Sequence, residues 1–190
     1  PITIIGAGIA GLTAAYTLHQ AGLTPRVLEA GPRIGGRVDS LYSKDGQAIA
    51  DLGPTWIWPP FQPIIARWLD ALALATFDQY EQGDAVLEGF APTLRRQALP
   101  GQFGMARVVG GPQQLINALV NALPPETITT QTPIHEISQC NDGSLRLQSD
   151  HDVIDTDYVL VATPPRIAAE RIKLPEALSH AVLPTLQSMP

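Results

Sequence analysis

The opening of the chain shows two spacings of apolar residues in succession. Ile2–Ile5 is an uninterrupted apolar run that ends at a glycine, which is typical of a strand buried in a parallel sheet. Across residues 8–21 the apolar positions recur at near-helical spacing, and Gly22 provides a stop. Residues 26–30 form a second strand-like run. This order predicts a strand, a helix and a parallel strand, which together have the size of one βαβ unit.

The pattern changes twice in the middle of the chain. Residues 31–56 are rich in Gly, Asp and Ser and keep no sustained period, so we predict that they are mostly loop. From 59 to 105 the apolar positions between 64 and 72 fit one helical face, and an acidic stretch follows. We interpret residues 59–105 as an inserted, partly helical segment.

The second half of the chain predicts a helix followed by a β-meander. Residues 112–123 begin with a proline, which suits a first helical turn, and carry an apolar stripe. Two β-rich runs flank the turn signal Asn-Asp-Gly at 141–143, and residues 157–165 form another buried strand. The whole pattern therefore predicts an α/β fold: a Rossmann-like parallel sheet with helices, a β-meander and the inserted segment.

Composition narrows the class of protein. Of the 190 residues 45% are hydrophobic, and no apolar run approaches the roughly 20 residues of a membrane helix, so we expect no membrane span. The net charge of −6, without a positive stripe, argues against a nucleic-acid partner. Cys140 is the single cysteine and excludes an internal disulfide framework. The first strand begins at the second residue, with no leader before it, and we expect a cytoplasmic protein.

The sequence GAGIAG at residues 6–11 places three glycines in the first strand-to-helix turn. Gly6 permits a tight turn, Gly8 lets backbone approach a diphosphate, and Gly11 lets the helix pack close to the sheet. The helix N-terminus favours an anion. Glu29 follows Gly11 by eighteen residues, close to the spacing expected for a carboxylate that binds ribose hydroxyls. The pattern predicts a dinucleotide site.

A second glycine motif lies in the stretch EAGPRIGGRVDS at residues 29–40. Gly35 and Gly36 offer another close backbone approach, and Arg37 directly follows them. Arg33 and Arg37 are both candidate ligands for diphosphate oxygens, although Arg33 is equally compatible with a surface position. One dinucleotide would then be bound from two sides.

Five motifs in order resemble one family. They are IIGAGIAGLTAA from residue 4, EAGPRIGGRV from 29, DLGPTWIWP from 51, VVGGPQQLINAL from 108 and DYVLVATPP from 157. The chain resembles the flavin-containing amine oxidases, within a wider group that includes the protoporphyrinogen oxidases and carotenoid desaturases. The resemblance spans residues 4–165, although no family pattern is present between Trp58 and Met105.

The resemblance implies that the dinucleotide is FAD. The glycines of the first turn and Arg37 then lie at the pyrophosphate, Glu29 at the adenosine ribose and Ile134 near the adenine. Residues 53–56 lie beside the isoalloxazine ring, and the turn at Thr163 covers the far side of the cofactor. The expected cofactor-binding residues are Gly6, Gly8, Gly11, Glu29, Ala30, Arg33, Gly36, Arg37, Gly53, Pro54, Thr55, Trp56, Ile134 and Thr163.

The resemblance also implies an activity and a division into domains. Residues 1–58 and 106–170 would form an FAD-binding domain, and 59–105 with 171–190 part of a substrate domain. The expected reaction is hydride transfer from the C–H of a small-molecule substrate, an amine, to flavin N5, with reoxidation by oxygen. A flavoprotein desaturase, a protoporphyrinogen-oxidase-like enzyme and a non-catalytic FAD-binding module remain alternatives.

Catalytic residues are not identifiable from the sequence. The two lysines, Lys44 and Lys173, fall in no motif, and the four histidines (His19, His135, His151 and His180) show no metal-ligand spacing, so we interpret the histidines as structural and predict no metal site. Because members of the family usually run well beyond 190 residues, we expect that the chain is a fragment lacking a C-terminal part, with a naturally short relative of weakened or lost activity as the alternative. The sequence does not indicate an oligomeric state.

Overall fold

The structure, a computed structural model, describes residues 1–89, 91–98, 101 and 103–189. The chain divides into two units. The first contains Pro1–Asp39 and Ile116–Pro190, and the second contains Ser40–Leu115. The helices of the described residues are α1 (Ile9–Gln20), α2 (Pro63–Ala71), α3 (Gln113–Asn121), α4 (Pro165–Arg171) and α5 (Glu176–Ser188).

The strands of the described residues are short, between two and six residues each. In chain order they are β1 (Ile2–Ile5), β2 (Pro25–Leu28), β3 (Ser40–Tyr42), β4 (Ala48–Asp51), β5 (Thr76–Asp78), β6 (Ala85–Leu87), β7 (Arg95–Gln97), β8 (Ala106–Val108), β9 (Ile128–Thr129), β10 (Ile134–Gln139), β11 (Leu145–Ser149), β12 (Val153–Thr156) and β13 (Tyr158–Val161). A short 3-10 helix, Pro125–Thr127, precedes β9.

A four-stranded parallel sheet organises the first unit. Its strand order is β13-β1-β2-β9, so β1 lies between β13 and β2. Ile4 in β1 and Val27 in β2 are fully buried, and the continuous apolar run of β1 predicts this. The prediction of a buried strand at 157–165 is wrong, because β13 lies at the edge of the sheet and its Leu160 is 43% exposed. The predicted βαβ unit and Rossmann-like parallel sheet are confirmed.

Helix α1 follows the predicted bounds closely. Its buried face consists of Gly11, Leu12 and Ala15. At its end the N–H of Gly22 donates to the carbonyl of His19, and the N–H of Leu23 donates to the carbonyl of Leu18. Gly22 has a φ of +78°, so this is a Schellman-type stop that glycine accommodates without strain.

The predicted meander is present as β10-β11-β12, with antiparallel pairing throughout. The β10–β11 turn contains Asp142, whose carboxylate accepts hydrogen bonds from the backbone N–H and the hydroxyl of Ser144. These bonds stabilise the charged form and lower the pKa of Asp142. Gly143 adopts a φ of +88°, which the Asn-Asp-Gly sequence makes accessible.

Strand β10 contains a bulge. Its register against β11 shifts between Ile134 and Glu136, which inserts His135 as an extra residue. Ile134 and Ile137 are three residues apart, yet both are buried at 5% exposure. A regular strand would point them to opposite faces. They pack in the core cluster that comprises Ile5, Leu28, Ile134, Ile137, Leu147 and Ile172.

The second unit differs from the prediction for residues 31–56. Within this stretch, which is predicted to be mostly loop, β3 and β4 form an antiparallel hairpin. Its turn is closed by hydrogen bonds from Ser43 N–H to the Gln47 carbonyl and from Gly46 N–H to the Ser43 carbonyl. The apolar signal was weak because Ala48–Asp51 has no fully buried residue, so no period-2 alternation marks the strand.

The inserted segment contains the predicted helix, which is observed as α2. The remaining pairs of this unit are β5 with β8 and β6 with β7, both antiparallel. The units do not coincide with the predicted domains. Residues 40–58 and 106–115 belong to the second unit, and residues 171–190 belong to the first, where Ile172 packs in the core cluster. The functional division into an FAD-binding and a substrate domain stays a prediction. In the described part of the chain no helix combines the length and apolar character needed to cross a bilayer.

Leu147→Ala tests the core cluster. Leu147 is fully buried, and we expect its truncation to lower the free energy of unfolding by about 2–5 kcal/mol, through lost transfer free energy and a residual cavity. Urea unfolding followed by circular dichroism measures the change. Leu178→Ala, at a position 53% exposed, is the matched control and should change stability by less than about 0.5 kcal/mol. Equal effects of the two substitutions would contradict the assigned core.

Candidate dinucleotide-binding site

The turn after β1 requires glycine at its first position. Gly6 has a φ of +107°, and its N–H donates to the carbonyl of Leu28 at 2.8 Å. A Cβ at Gly6 would lie 2.9 Å from the carbonyl oxygen of Ala162. The turn is therefore held between β2 and the end of β13, and any larger residue would be strained there.

Gly11 sets the distance between α1 and the turn. A Cβ at this position would lie only 1.9 Å from the carbonyl oxygen of Gly6. Helix and turn are thus in direct backbone contact, and no side chain can be inserted between them. This close packing brings the first turn of α1 directly to the end of β1.

Gly8 differs from the other two glycines because the fold itself does not require it. Its φ of −76° and ψ of 178° are open to any residue, and a Cβ would meet no atom closer than the Cα of Gly36 at 4.0 Å. Gly8 is the N-cap of α1 but supplies no side-chain cap, and the first turn contains no acidic residue. Uncapped N–H groups above open space are a fitting place for a diphosphate.

The Glu29 carboxylate lies directly after β2 and contacts the glycine turn. Its Oε2 accepts a hydrogen bond from Ala7 N–H, and its Oε1 accepts one from Gly31 N–H, each at 2.8 Å. A carboxylate has about four acceptor positions, so two remain for ribose hydroxyls. Ala30, the next residue, is exposed. The protein thus orients this carboxylate before any ligand binds.

The second glycine motif packs on the first. Gly35 N–H donates to the Ala7 carbonyl at 2.8 Å, and Gly8 and Gly35 form an isolated parallel bridge. Gly36 has a φ of +60°, and a Cβ there would lie 3.2 Å from the Cα of Gly8. The structure therefore brings the two predicted backbone approaches together at one place.

The two arginines of this motif have different surroundings. The guanidinium of Arg33 donates to the carbonyls of Gly36 and Val38 and lies 3.6 Å from the Asp39 carboxylate. These contacts fasten its own loop and favour a structural role over a phosphate contact. Arg37 is exposed and, within the described residues, has neither a hydrogen bond nor an ion pair. Its guanidinium is available to an anion.

A cleft of about 370 Å³ opens at the carboxyl ends of β1 and β2. Within the described part of the chain, Oγ1 of Thr163 is a buried hydroxyl oxygen without a hydrogen-bond partner. Such an orphaned group beside a cleft fits a polar ligand. The cleft is lined by Ile5, Gly6, Leu28, Glu29, Ala30, Thr132, Pro133, Ile134, His135, Thr163, Ile167, Arg171 and Ile172.

Sequence reasoning did not place His135 or Arg171, the two basic side chains that line this cleft, in the site. His135 was interpreted as structural, yet it lines the cleft and its Nε2 lies 2.7 Å from Asp150 Oδ1. Arg171, at the end of α4, lies outside the five motifs and also lines the cleft. The only available signal was the three-residue spacing of Ile134 and Ile137, which reveals the bulge that exposes His135.

Residues 53–56 belong to the second unit, which has its own cleft of about 440 Å³. Trp56 is 52% exposed, and its indole N–H donates to Gln79 Oε1 at 3.1 Å. The cleft contains an ion pair between Arg107 and the nearly buried Asp51 at 2.8 Å. That Gly53, Pro54, Thr55 and Trp56 lie beside an isoalloxazine ring stays a prediction.

The parallel sheet and the glycine turn after β1 are those of a Rossmann-like dinucleotide-binding protein. Comparison with known proteins identifies the family. Residues 4–72 match an NAD(P)-binding Rossmann-like domain, and residues 77–190 match flavin containing amine oxidoreductases. The chain belongs to the flavin-containing amine oxidoreductase family. FAD is the cofactor that this membership implies, and the open position above Gly8, the oriented Glu29 and the unpaired Thr163 hydroxyl fit it.

Curated relatives include a putrescine oxidase from Kocuria rosea, 36% identical over 70% of this chain and 27% of its own length. An L-amino-acid oxidase from Siganus canaliculatus is 46% identical over 35% of this chain and 12% of its own. The chain thus spans about a quarter of the length of the putrescine oxidase relative, or less for the other.

Solved structures confirm the fold. A putrescine oxidase bound to putrescine superposes with a TM-score of 0.77 at 20% identity, covering 92% of this chain and 60% of that one. Cyclohexylamine oxidase from Brevibacterium oxydans IH-35A gives a TM-score of 0.77 at 16% identity, covering 91% and 59%. The shared architecture extends over nearly the whole chain.

Gly8→Ala separates a ligand role from a folding role. Because a Cβ fits at Gly8, we expect the free energy of unfolding to change by less than about 1 kcal/mol. FAD affinity, measured by quenching of flavin fluorescence, should fall about a hundredfold, since the methyl group occupies the place of the diphosphate. The comparison is Gly11→Ala, which should cost stability itself, by about 2 kcal/mol or more. Unchanged FAD affinity in the Gly8 variant would contradict the assigned anion position.

Glu29→Ala tests the ribose contact. We expect FAD binding to weaken by about 1–3 kcal/mol, because hydroxyl partners and the two oriented N–H groups lose their acceptor. Equilibrium dialysis against FAD gives the affinity. Glu126→Ala, a substitution in the 3-10 helix of the same unit, serves as control and should leave affinity unchanged. If both variants bind FAD like the unmodified protein, Glu29 does not contact the cofactor.

Proposed function

We propose that this chain is the FAD-binding part of an amine oxidase. The observation that carries the proposal is the combination at one place of an open glycine, Gly8, uncapped helix N–H groups and the oriented Glu29 carboxylate. Membership in the flavin-containing amine oxidoreductase family supports it. When bound, FAD supplies an acceptor for a hydride from the substrate C–H.

In this proposal, different residues of the first unit bind different parts of FAD. The N–H groups at the start of α1, the glycines at 6, 8 and 36, and Arg37 bind the pyrophosphate. Glu29 orients the adenosine ribose, Ala30 and Ile134 contact the adenine, and Thr163 covers the far side. We assign Arg33 to fastening the Gly35-Gly36 loop, because its donors already meet carbonyls there.

For the substrate we propose a small amine. The relative with the broadest sequence coverage quoted above is a putrescine oxidase, and a net charge of −6 favours the approach of a cation over that of an anion. In the second unit, residues 53–56 are proposed to flank the flavin ring and to limit water there.

No proton-transfer group is assigned: Lys173 is exposed and paired with Glu136 at 2.9 Å, and Lys44 lies in the exposed β3–β4 turn. A cytoplasmic location is part of the same proposal, supported by the single cysteine.

Flavin reduction tests the proposal. The purified chain, incubated with FAD and desalted, should retain a visible flavin spectrum. Under anaerobic conditions, putrescine, cyclohexylamine and an L-amino acid are added in turn, and at least one amine should bleach that spectrum.

Each result has one meaning. Retained FAD that no amine reduces would overturn the oxidase assignment and favour a non-catalytic FAD-binding module. Failure to retain FAD would overturn the cofactor assignment. Reduction by the L-amino acid alone would change the substrate class from simple amines to amino acids.

A further inference from the structure

His135 stands at an unusual position in β10. The bulge inserts it between Ile134 and Glu136, so that both isoleucines of this strand face the core while His135 lines the cleft. Bulges beside binding sites commonly re-aim a side chain. The backbone here is fixed, since the His135 carbonyl accepts a hydrogen bond from Lys173 N–H at 2.7 Å and Ile137 N–H donates back to the Lys173 carbonyl at 2.8 Å.

The imidazole is oriented by one carboxylate. Nε2 of His135 lies 2.7 Å from Oδ1 of Asp150, which follows the end of β11. A carboxylate only accepts hydrogen bonds, so Nε2 carries the proton. In the neutral ring the other nitrogen, Nδ1, is then an acceptor, and no partner of Nδ1 is found in the described part of the chain.

The rest of the cleft suits a flat base with a polar edge. Ile134, Ile167 and Ile172 supply apolar walls. The charged groups that line it are Glu29 at the glycine turn and Arg171 at the end of α4. Lys173 is paired with Glu136 and is not among the lining residues. A neutral acceptor such as Nδ1 therefore complements an amino group on the base.

We propose that His135 is a base-recognition residue, whose Nδ1 accepts a hydrogen bond from the exocyclic amino group of adenine, and that Asp150 is a positioning residue that fixes the tautomer. The proposal rests on the proposed function in one respect, namely that an adenine dinucleotide occupies this cleft. It adds selectivity for a 6-amino purine over a 6-oxo purine, whose carbonyl oxygen would face another acceptor.

Calorimetric titration with ADP and inosine diphosphate tests this selectivity, because the two differ only in the base edge. At pH 8 the unmodified protein should bind ADP at least about fivefold more tightly than inosine diphosphate. His135→Ala should reduce ADP affinity about fivefold and leave inosine diphosphate affinity unchanged or improved. His180→Ala, at an exposed position of α5, is the control and should preserve the ratio.

Two further variants separate recognition from structural support. His135→Phe keeps a ring without an acceptor and should lose the same selectivity, which keeps the test valid if the alanine variant does not fold. Asp150→Ala should also lower the ratio, whereas Asp150→Asn keeps an acceptor oxygen for Nε2–H and should restore most of it. A purely structural role of Asp150 would change both affinities equally.

The outcomes distinguish this inference from the proposal beneath it. If the unmodified protein binds FAD but does not prefer ADP, or if the His135 variants keep the preference, the recognition role is wrong and the FAD site stands. If the unmodified protein binds neither FAD nor ADP, the proposed function is wrong and this inference falls with it.

Discussion

The backbone contact between Gly11 and the Gly6 carbonyl determines the geometry of the first unit. A Cβ at Gly11 would come within 1.9 Å of that oxygen, so α1 can reach its position only because residue 11 is a glycine. The contact places the helix N-terminus at the end of β1 and leaves its N–H groups without a capping side chain. Close packing and an anion site therefore arise from the same local constraint.

The Glu29 carboxylate connects this turn to the loop after β2. By accepting hydrogen bonds from Ala7 and Gly31 it fixes two segments that lie 24 residues apart in the chain. Gly35 adds a third segment through its bond to the Ala7 carbonyl. An arrangement made by the protein itself costs less ordering entropy when a dinucleotide binds.

Much of this unit was predictable because local sequence and tertiary packing agree there. The apolar run of β1, the stop at Gly22 and the Asn-Asp-Gly turn each have one physical interpretation. The β3–β4 hairpin was not predictable, because β4 has no fully buried residue and therefore no alternating apolar pattern. The different surroundings of Arg33 and Arg37 also escaped prediction, since the carbonyls that Arg33 binds converge only in the folded loop. His135 was missed because spacing alone does not reveal which strand residue a bulge turns outward.

The bulge in β10 gives this strand one residue more than its core contacts need. Side chains two apart in a regular strand share a face, and the bulge achieves the same for Ile134 and Ile137, which are three apart. Deleting the extra residue would therefore keep both isoleucines on one face and remove only a side chain that lines the cleft. The length of this segment is explained by the cleft and not by the core.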